Sequence, residues 1–229
     1  MTTSATGSRT SHILTGGSPV ATQLLHAAGL ALASKQRKED AVTAVYFGEG
    51  SASQGDTHEA MNFAGIHKLG LIFVCENNGY AISVPQSRQM AIQDLADRAA
   101  GYGFPGVVVD GNDVLACYEV TRQAVERARR GEGPTLIEAK TYRFTAHSSD
   151  DDDKRYRQPD EVATWRQKDP IQRYARYLRE AGTLTDAAED AITERVNQQV
   201  DEATDYAEQA PDPTPDDLTT FVYKQEPQA

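Results

Sequence analysis

Cysteine is nearly absent, with two in 229 residues, Cys75 and Cys117. Two thiols cannot make a disulfide framework, and both sit in apolar-patterned segments that suit a reducing compartment. No apolar run approaches the ~20 residues that a membrane-spanning helix needs, which excludes such a helix. Lysine is scarce, 7 against 16 arginines, and 34 acidic residues outweigh 23 basic ones to leave a net charge of −11. That sign argues against nucleic acid and against an anionic membrane surface as main partners. It fits an acidic cytoplasmic protein, and equally a surface adapted to high salt. The first eleven residues, MTTSATGSRTS, lack the apolar core of a signal peptide and read as a flexible tail, 1–11.

What is present is a chain long enough to bury a sizeable core without metals or disulfides. Apolar residues at three- and four-residue spacing (Leu24, Leu25, Ala28, Leu32) predict a helix after Pro19. The run AVTAVYF over 41–47 predicts a buried strand. A helix is expected over 56–68 with Ala60, Phe63, Ala64 and His67 inward, then a strand LIFVC over 71–75 and another over 107–109. Asp113 is placed to cap a helix running to about residue 130, with Leu115, Tyr118, Val125 and Ala128 inward, and TLIEA over 135–139 predicts a fourth strand. Apolar strands alternating with amphipathic helices predict an α/β fold, a parallel sheet covered on both faces. Beyond an acidic loop over 148–153 only helices are expected: one around Trp165, one over 170–181 and one over 186–209. The expected organisation is a 1–11 tail, a 12–150 α/β domain, a 151–210 helical region packed on it, and a 211–229 Pro-rich linker and tail carrying Leu218, Phe221, Val222 and Tyr223.

In an open parallel sheet, ligands bind beyond the carboxyl ends of the strands. Three of those ends here are polar and glycine-rich: Gly48-Glu49-Gly50, Asn77-Asn78-Gly79-Tyr80 and Asp110-Gly111-Asn112. Gly48 and Gly50 allow backbone to approach a ligand, and the following helix start offers N–H groups to a phosphate. Glu49 and Asn78 are hard oxygen donors of the kind that suit Mg2+, which keeps water and phosphate oxygens at its other positions. Each motif alone is an ordinary turn. Their pairing is more specific, because 26 residues with one whole helix separate Gly50 from Asn77, so that both tips belong to one βαβ unit.

GEG followed after 26 residues by NN resembles the thiamine diphosphate motif, more often spelled GDG. The wider string GEGSASQGDTHEAMNFAGIHKLGLIFVCENNGYAISVP, with TYRFTAHSSDDDDKRYR and DEVATWRQKDPIQRY, is similar to the alpha subunit of the decarboxylating component of 2-oxoacid dehydrogenase complexes. It looks most like the branched-chain members, with the pyruvate and acetoin members close behind. The resemblance runs over about 16–223.

Carried over position by position, the resemblance implies that Glu49 and Asn78 are side-chain ligands of Mg2+ and that Tyr80 gives a backbone carbonyl. It implies that Gly50 and Ser51 hold the diphosphate by main chain and that Ser18 and Val20 line the cofactor. Gly17, Pro19, Thr22 and Gln23 match a monovalent cation (K+) site of some members. His147 matches an active-site histidine beside the cofactor, and Ser148 a serine phosphorylated in mitochondrial relatives. By itself the Asp150, Asp151, Asp152 and Asp153 run reads as solvated charge.

Two departures stand out. Glu76 occupies a position where some relatives carry an arginine that reaches the diphosphate, and a carboxylate there would repel it. The family also has an upstream region that supplies a Tyr-Arg pair to the cofactor; here the matching sequence starts just before GGSPVATQ. The expectation is a truncated subunit, or one whose upstream part is a separate chain. The implied reaction is oxidative decarboxylation of a 2-oxoacid with acyl transfer to a lipoyl group. The implied partners are a beta subunit, which supplies the glutamate that activates the cofactor, and a lipoyl acyltransferase core. The alternative is a non-catalytic remnant that keeps the fold and cannot hold cofactor alone.

Overall fold

The computed structural model describes residues 12–14 and 17–219. The expected 1–11 tail, and Phe221, Val222 and Tyr223 of the expected apolar patch, lie outside the described residues. In chain order the elements are α1 (Thr22–Arg37), β1 (Thr43–Gly48), α2 (Gly55–Ile66), β2 (Leu71–Asn77), β3 (Tyr80–Ala81), β4 (Val84–Pro85) and α3 (Gln86–Gln89). They continue with β5 (Gly106–Asp110), α4 (Val114–Arg129), β6 (Thr135–Lys140), α5 (Pro159–Arg166), α6 (Pro170–Glu180) and α7 (Asp186–Gln209). Short 3-10 segments cover Glu49–Ser53, Leu95–Tyr102, Asp153–Arg155 and Pro215–Leu218.

Four strands pair in parallel in the order β1-β2-β6-β5, so the expected α/β sheet is present. Alternation along each strand sends side chains to opposite faces. Leu71, Phe73 and Cys75 of β2 and Leu136 of β6 join Val45 and Phe47 under α1, α2 and the Leu95–Tyr102 segment. Ile72, Ile137, Val109 and Ala139 face the other way, against Ala124 of α4. Both faces are thus covered, as near-continuous apolar strands require. Phe73, Leu71, Ile72 and Leu136 are fully buried, and each contributes on the order of 2 kcal/mol of burial.

The helices present smaller residues to the sheet than their spacing predicts. Ala27, Ala28 and Ala31 of α1, Ala60 and Ala64 of α2, and Ala124 and Ala128 of α4 are buried, whereas Leu25, Phe63, Leu115 and Tyr118 are exposed. His67, expected inward, is exposed with its ring against Phe63 at 4.4 Å. Alanine faces let the helices lie close to the sheet; Leu24 and Met61 are buried with them, and Leu25, Phe63, Leu115 and Tyr118 end at the rim. The two-residue strands of the β3–β4 hairpin are too short to show a period, and the Leu95–Tyr102 segment, which buries Leu95, Ala96 and Ala99, is a further element absent from the sequence-based expectation.

The described residues divide into two compact units, one over 17–176 and one over 177–219 with 12–14. In the second, the N–H groups of Thr183 and Leu184 both reach the Leu178 carbonyl (2.8 and 3.1 Å), and Thr185 caps α7 by accepting from the Ala188 N–H at 3.3 Å. Ile192, Val196, Val200 and Tyr206 of α7 are exposed. Among the described residues no helix is long and apolar enough to cross a membrane.

Asp113 caps α4 as expected, its Oδ1 accepting from the N–H groups of Leu115 (3.1 Å) and Ala116 (3.0 Å). Its Oδ2 also pairs with Arg173 Nη2 at 2.6 Å, while Arg173 Nη1 holds Asp110 at 2.6 Å. The cap and the half-exposed ion pair are separable. Asp113→Ala should cost about 1–2 kcal/mol, and Asp113→Asn, which keeps an accepting oxygen, less than about 0.5 kcal/mol, read from denaturant midpoints.

Candidate functional site

The register of β1 against β2 places Gly48 opposite Glu76, so the residues that follow emerge at one sheet edge. Glu49 opens the 3-10 turn there, and its side chain is 1% exposed. Glu49 Oε2 accepts from the Asn78 N–H at 3.1 Å. Glu49 Oε1 is buried and has no hydrogen-bond partner. Burial raises the Glu49 pKa above the ordinary carboxylate range, opposed by the Asn78 N–H and by the charge of Arg143. A buried carboxylate with one oxygen unused costs free energy unless a cation or proton meets it. Asn78 Oδ1 in turn accepts from the Tyr80 N–H at 3.1 Å, which folds the 78–80 backbone back toward the turn. The sequence-derived donors Glu49, Asn78 and Tyr80 are therefore brought together.

The Glu49–Ser53 turn is pinned through its carbonyls. Gln89 Nε2 donates to the Glu49 carbonyl at 2.8 Å and to Ser53 Oγ at 3.2 Å. Arg98 Nη1 donates to the Ala52 carbonyl at 2.6 Å, and Thr57 Oγ1 to the Ser51 carbonyl at 2.6 Å. As at any helix start, the first N–H groups, Gly50 and Ser51 among them, have no acceptor within the turn. A Cβ on Gly50 would stand 3.0 Å from Ala81 Cβ, so a side chain there would press on the hairpin.

His147 lies in the loop after β6 and is exposed. Its backbone N–H donates to Asp151 Oδ2 at 2.8 Å, and the Tyr156 hydroxyl donates to the same oxygen at 2.5 Å. Arg143 Nη2 spans from the Tyr156 hydroxyl (3.0 Å) to the Ile82 carbonyl (2.7 Å) in the hairpin beside Tyr80. Arg157, 3% exposed, donates to the carbonyls of Arg143 and Phe144, pairs with Asp153 and sits over the Tyr142 ring at 5.6 Å. The acidic run is thus not simply solvated charge: Asp151 and Asp153 hold the loop because a buried arginine and a tyrosine face them. Tyr142 stacks on Trp165 at 5.3 Å, and Tyr80 packs edge-on to Tyr142. The Tyr80 hydroxyl donates to both oxygens of Glu161 at 3.1 Å, and burial with that contact pushes its pKa up to about 12.

The remaining expected residues sit before and within the start of α1. Gly17, Ser18, Pro19 and Val20 are exposed, and Thr22 and Gln23 half-buried. Gln23 Nε2 donates to the Tyr46 carbonyl at 3.2 Å, which ties this segment to β1 two residues before Gly48. Sequence reading missed Gln89, Arg98, Arg143 and Asp151. The one signal for Arg143 is its place in TYRFTAH; nothing local marks Gln89 or Arg98, whose partners lie 36 to 46 residues away.

Among the described residues no three His, Cys, Asp or Glu gather as a metal-ligand set. The donor set here is of another kind: one buried carboxylate with a free oxygen, one amide oxygen and one main-chain carbonyl. Such a set fits a small hard cation that takes its other ligands from water and phosphate. The Gly50-Ser51 turn beside it fits the phosphate.

A family model described as "Dehydrogenase E1 component" matches residues 1–216. The chain is 52% identical over 217 residues to a "2-oxoisovalerate dehydrogenase subunit alpha" of Bacillus subtilis, covering 95% of this chain and 66% of that protein. It is 47% identical over 207 residues to a "3-methyl-2-oxobutanoate dehydrogenase subunit alpha" of Mycobacterium tuberculosis, covering 90% and 56%. With a "Pyruvate dehydrogenase E1 component subunit alpha" of Staphylococcus aureus it shares 46% over 176 residues, 76% and 48% of the two chains. The chain thus spans from about half to just under two thirds of the length of these relatives. With a matching family model over nearly all of its length, the chain belongs to the dehydrogenase E1 component family.

Proposed function

We propose that the chain is the diphosphate- and metal-holding part of the alpha subunit of a 2-oxoacid dehydrogenase. Its substrate is a branched-chain 2-oxoacid or pyruvate, decarboxylated oxidatively with transfer of the acyl group to a lipoyl arm. The observation that carries this reading is Glu49: buried, tied to Asn78 across adjacent strand tips, and keeping one oxygen without a partner. Against a remnant that has lost its site stand these intact donors and the pinned turn beside them. The names of these relatives support the substrate class.

In this reading Glu49 and Asn78 bind Mg2+ with the Tyr80 carbonyl, and Gly48, Gly50 and Ser51 hold the diphosphate. Ser18 and Val20 line the cofactor, and Gly17, Pro19, Thr22 and Gln23 take K+ in the segment that Gln23 ties to β1. Thiamine diphosphate, when bound, supplies the electron sink for decarboxylation. The protein supplies orientation: the carbonyl pins from Gln89, Arg98 and Thr57 keep the 49–53 turn in one shape, so little ordering remains for binding. His147, exposed on a loop braced by Asp151 and Tyr156, moves a proton near the reacting carbon. The beta subunit completes the site in a two-alpha, two-beta assembly. That assembly docks on a lipoyl acyltransferase core in the cytoplasm, where the free thiols of Cys75 and Cys117 stay reduced.

Glu49→Gln keeps an acceptor for the Asn78 N–H and removes the charge. In the assembled enzyme, calorimetric titration should show Mg2+-dependent cofactor affinity lower by at least about 100-fold, with no loss of Tm, because a costly buried charge is gone. Affinity equal to the parent's would refute the metal assignment. His147→Ala should depress acyl transfer to lipoamide by about 10²–10⁴-fold and leave Tm within about 2 °C, since the side chain is exposed. A large loss of stability with normal turnover would instead make His147 a fold element. The chain by itself should decarboxylate no 2-oxoacid. Co-expressed with a beta subunit, it should elute as a heterotetramer by size exclusion with light scattering and gain activity; an active monomer would overturn the shared-site reading.

A further inference from the structure

Only one asparagine of the Asn77-Asn78 pair is used by the site described above. Asn78 faces Glu49; Asn77, 2% exposed, lies on the opposite face of the strand end and points into the protein. There it meets Glu138, a carboxylate with no exposure at all, on the central strand β6. Burying a charge in a parallel sheet is expensive, and it persists only where donors surround it. Three donors do. Asn77 Nδ2 reaches Glu138 Oε1 at 2.5 Å, Lys140 Nζ the same oxygen at 2.6 Å, and the Ala96 N–H reaches Oε2 at 2.8 Å. Lys140 is itself held by Asp94 at 3.0 Å.

The other half of the Asn77 amide works on the metal turn. Its Oδ1 accepts from the Gly79 N–H at 3.0 Å, and Gly79 has φ +86, the left-handed region that glycine adopts without strain. Asn77 Nδ2 also donates to Gln86 Oε1 at 2.8 Å, and the Gln86 N–H returns to the Gly79 carbonyl at 3.0 Å. The turn that presents Asn78 and Tyr80 is therefore gripped on both sides of Gly79. An amide can turn over about its terminal torsion, exchanging oxygen and nitrogen. The Glu138 oxygens accept and do not donate, so the Glu138 carboxylate decides that Asn77 presents nitrogen to it and oxygen to Gly79.

We infer that Glu138 is a positioning residue for the Mg2+ site: through the Asn77 amide it sets the Asn77–Tyr80 turn, in which the Asn78 N–H meets Glu49 and Asn78 Oδ1 meets the Tyr80 N–H. This rests on reading Glu49, Asn78 and Tyr80 as metal-binding, and the experiment separates the two claims. Mn2+ serves as the probe, its binding to the assembled enzyme in the presence of thiamine diphosphate read by electron paramagnetic resonance, with Tm recorded for every variant. The parent should bind Mn2+ and Glu49→Gln should not; if both behave alike, the metal reading itself fails. Glu138→Gln presents an amide that can offer N–H where only an acceptor serves, and should weaken Mn2+ binding by about 10–100-fold. Asn77→Ala should weaken it comparably, and the double variant no more than the worse single one, because the two act in series. Raising Mg2+ should return the kcat of Glu138→Gln toward the parent's while its apparent KM for Mg2+ stays high, a split that a general loss of stability does not produce. Parent-like Mn2+ affinity in Glu138→Gln, or additive losses in the double variant, overturns the inference. Should Glu138→Gln fail to fold, Asn77→Ser decides. Its hydroxyl can still accept from the Gly79 N–H and is too short to reach Glu138, so unchanged Mn2+ affinity there overturns the inference and a loss of about tenfold upholds it.

Discussion

The hydrogen bond from the Asn78 N–H to Glu49 Oε2 joins the tips of β1 and β2, and the site is organised around it. It exists only because the two strands run parallel in a fixed register, Gly48 against Glu76. A slip of one residue would turn Asn78 inward and Asn77 outward, exchanging the two amides. Register is held by the core: Val45, Phe47, Leu71, Phe73 and Cys75 must all reach the same apolar face. The hydrophobic burial that stabilises the sheet thereby decides which carboxylate and which amide stand together at its edge.

Around this bond the supports follow one physical pattern. The Glu49–Ser53 turn, the Asn77–Tyr80 turn and the His147 loop are irregular backbone, and each is held by buried or half-buried residues that donate to main-chain carbonyls or accept from main-chain N–H groups. Gln89 and Arg98 hold the first, Asn77 and Gln86 the second, Arg143, Asp151 and Arg157 the third. Arg143 links the second to the third, since its guanidinium joins Ile82 of the hairpin to Tyr156 of the loop. The aromatic rings of Tyr80, Tyr142 and Trp165 fill the space between, with Glu161 of α5 meeting the Tyr80 hydroxyl. Loops braced this way have fewer conformations to lose, which lowers the ordering cost of binding.

The unequal treatment of acidic residues is instructive. Glu49 and Glu138 are both buried near one sheet edge, yet Glu138 has its charge matched by Lys140 and two N–H donors, while Glu49 keeps an oxygen free. Two carboxylates in the same medium thus differ in what remains to be satisfied. A cation has reason to enter at Glu49 and none at Glu138. Within the exposed run, Asp151 and Asp153 are engaged because Tyr156 and the buried Arg157 lie opposite.

Much of this was legible in the residues. Alternating apolar runs and amphipathic segments determined four parallel strands with helices on both faces, since a strand apolar along its whole length can only be covered twice. The 26-residue spacing determined that Glu49 and Asn78 meet, because one βαβ unit returns both tips to one edge. Local chemistry determined the Asp113 cap, whose partners are two and three residues away. What the sequence could not decide was anything requiring a partner far along the chain. Which face of α2 turns inward depended on the sheet beneath it, so Phe63 and His67 went to the rim and Thr57 and Met61 inside. Glu138 sits in TLIEA as one charged residue in an apolar strand; only the approach of Asn77, 61 residues earlier, and of Ala96, 42 residues earlier, makes it a buried anchor of the Asn77–Tyr80 turn. Periodicity is carried by neighbours in sequence, whereas the satisfaction of a buried charge depends on neighbours in space, and only the tertiary structure supplies those.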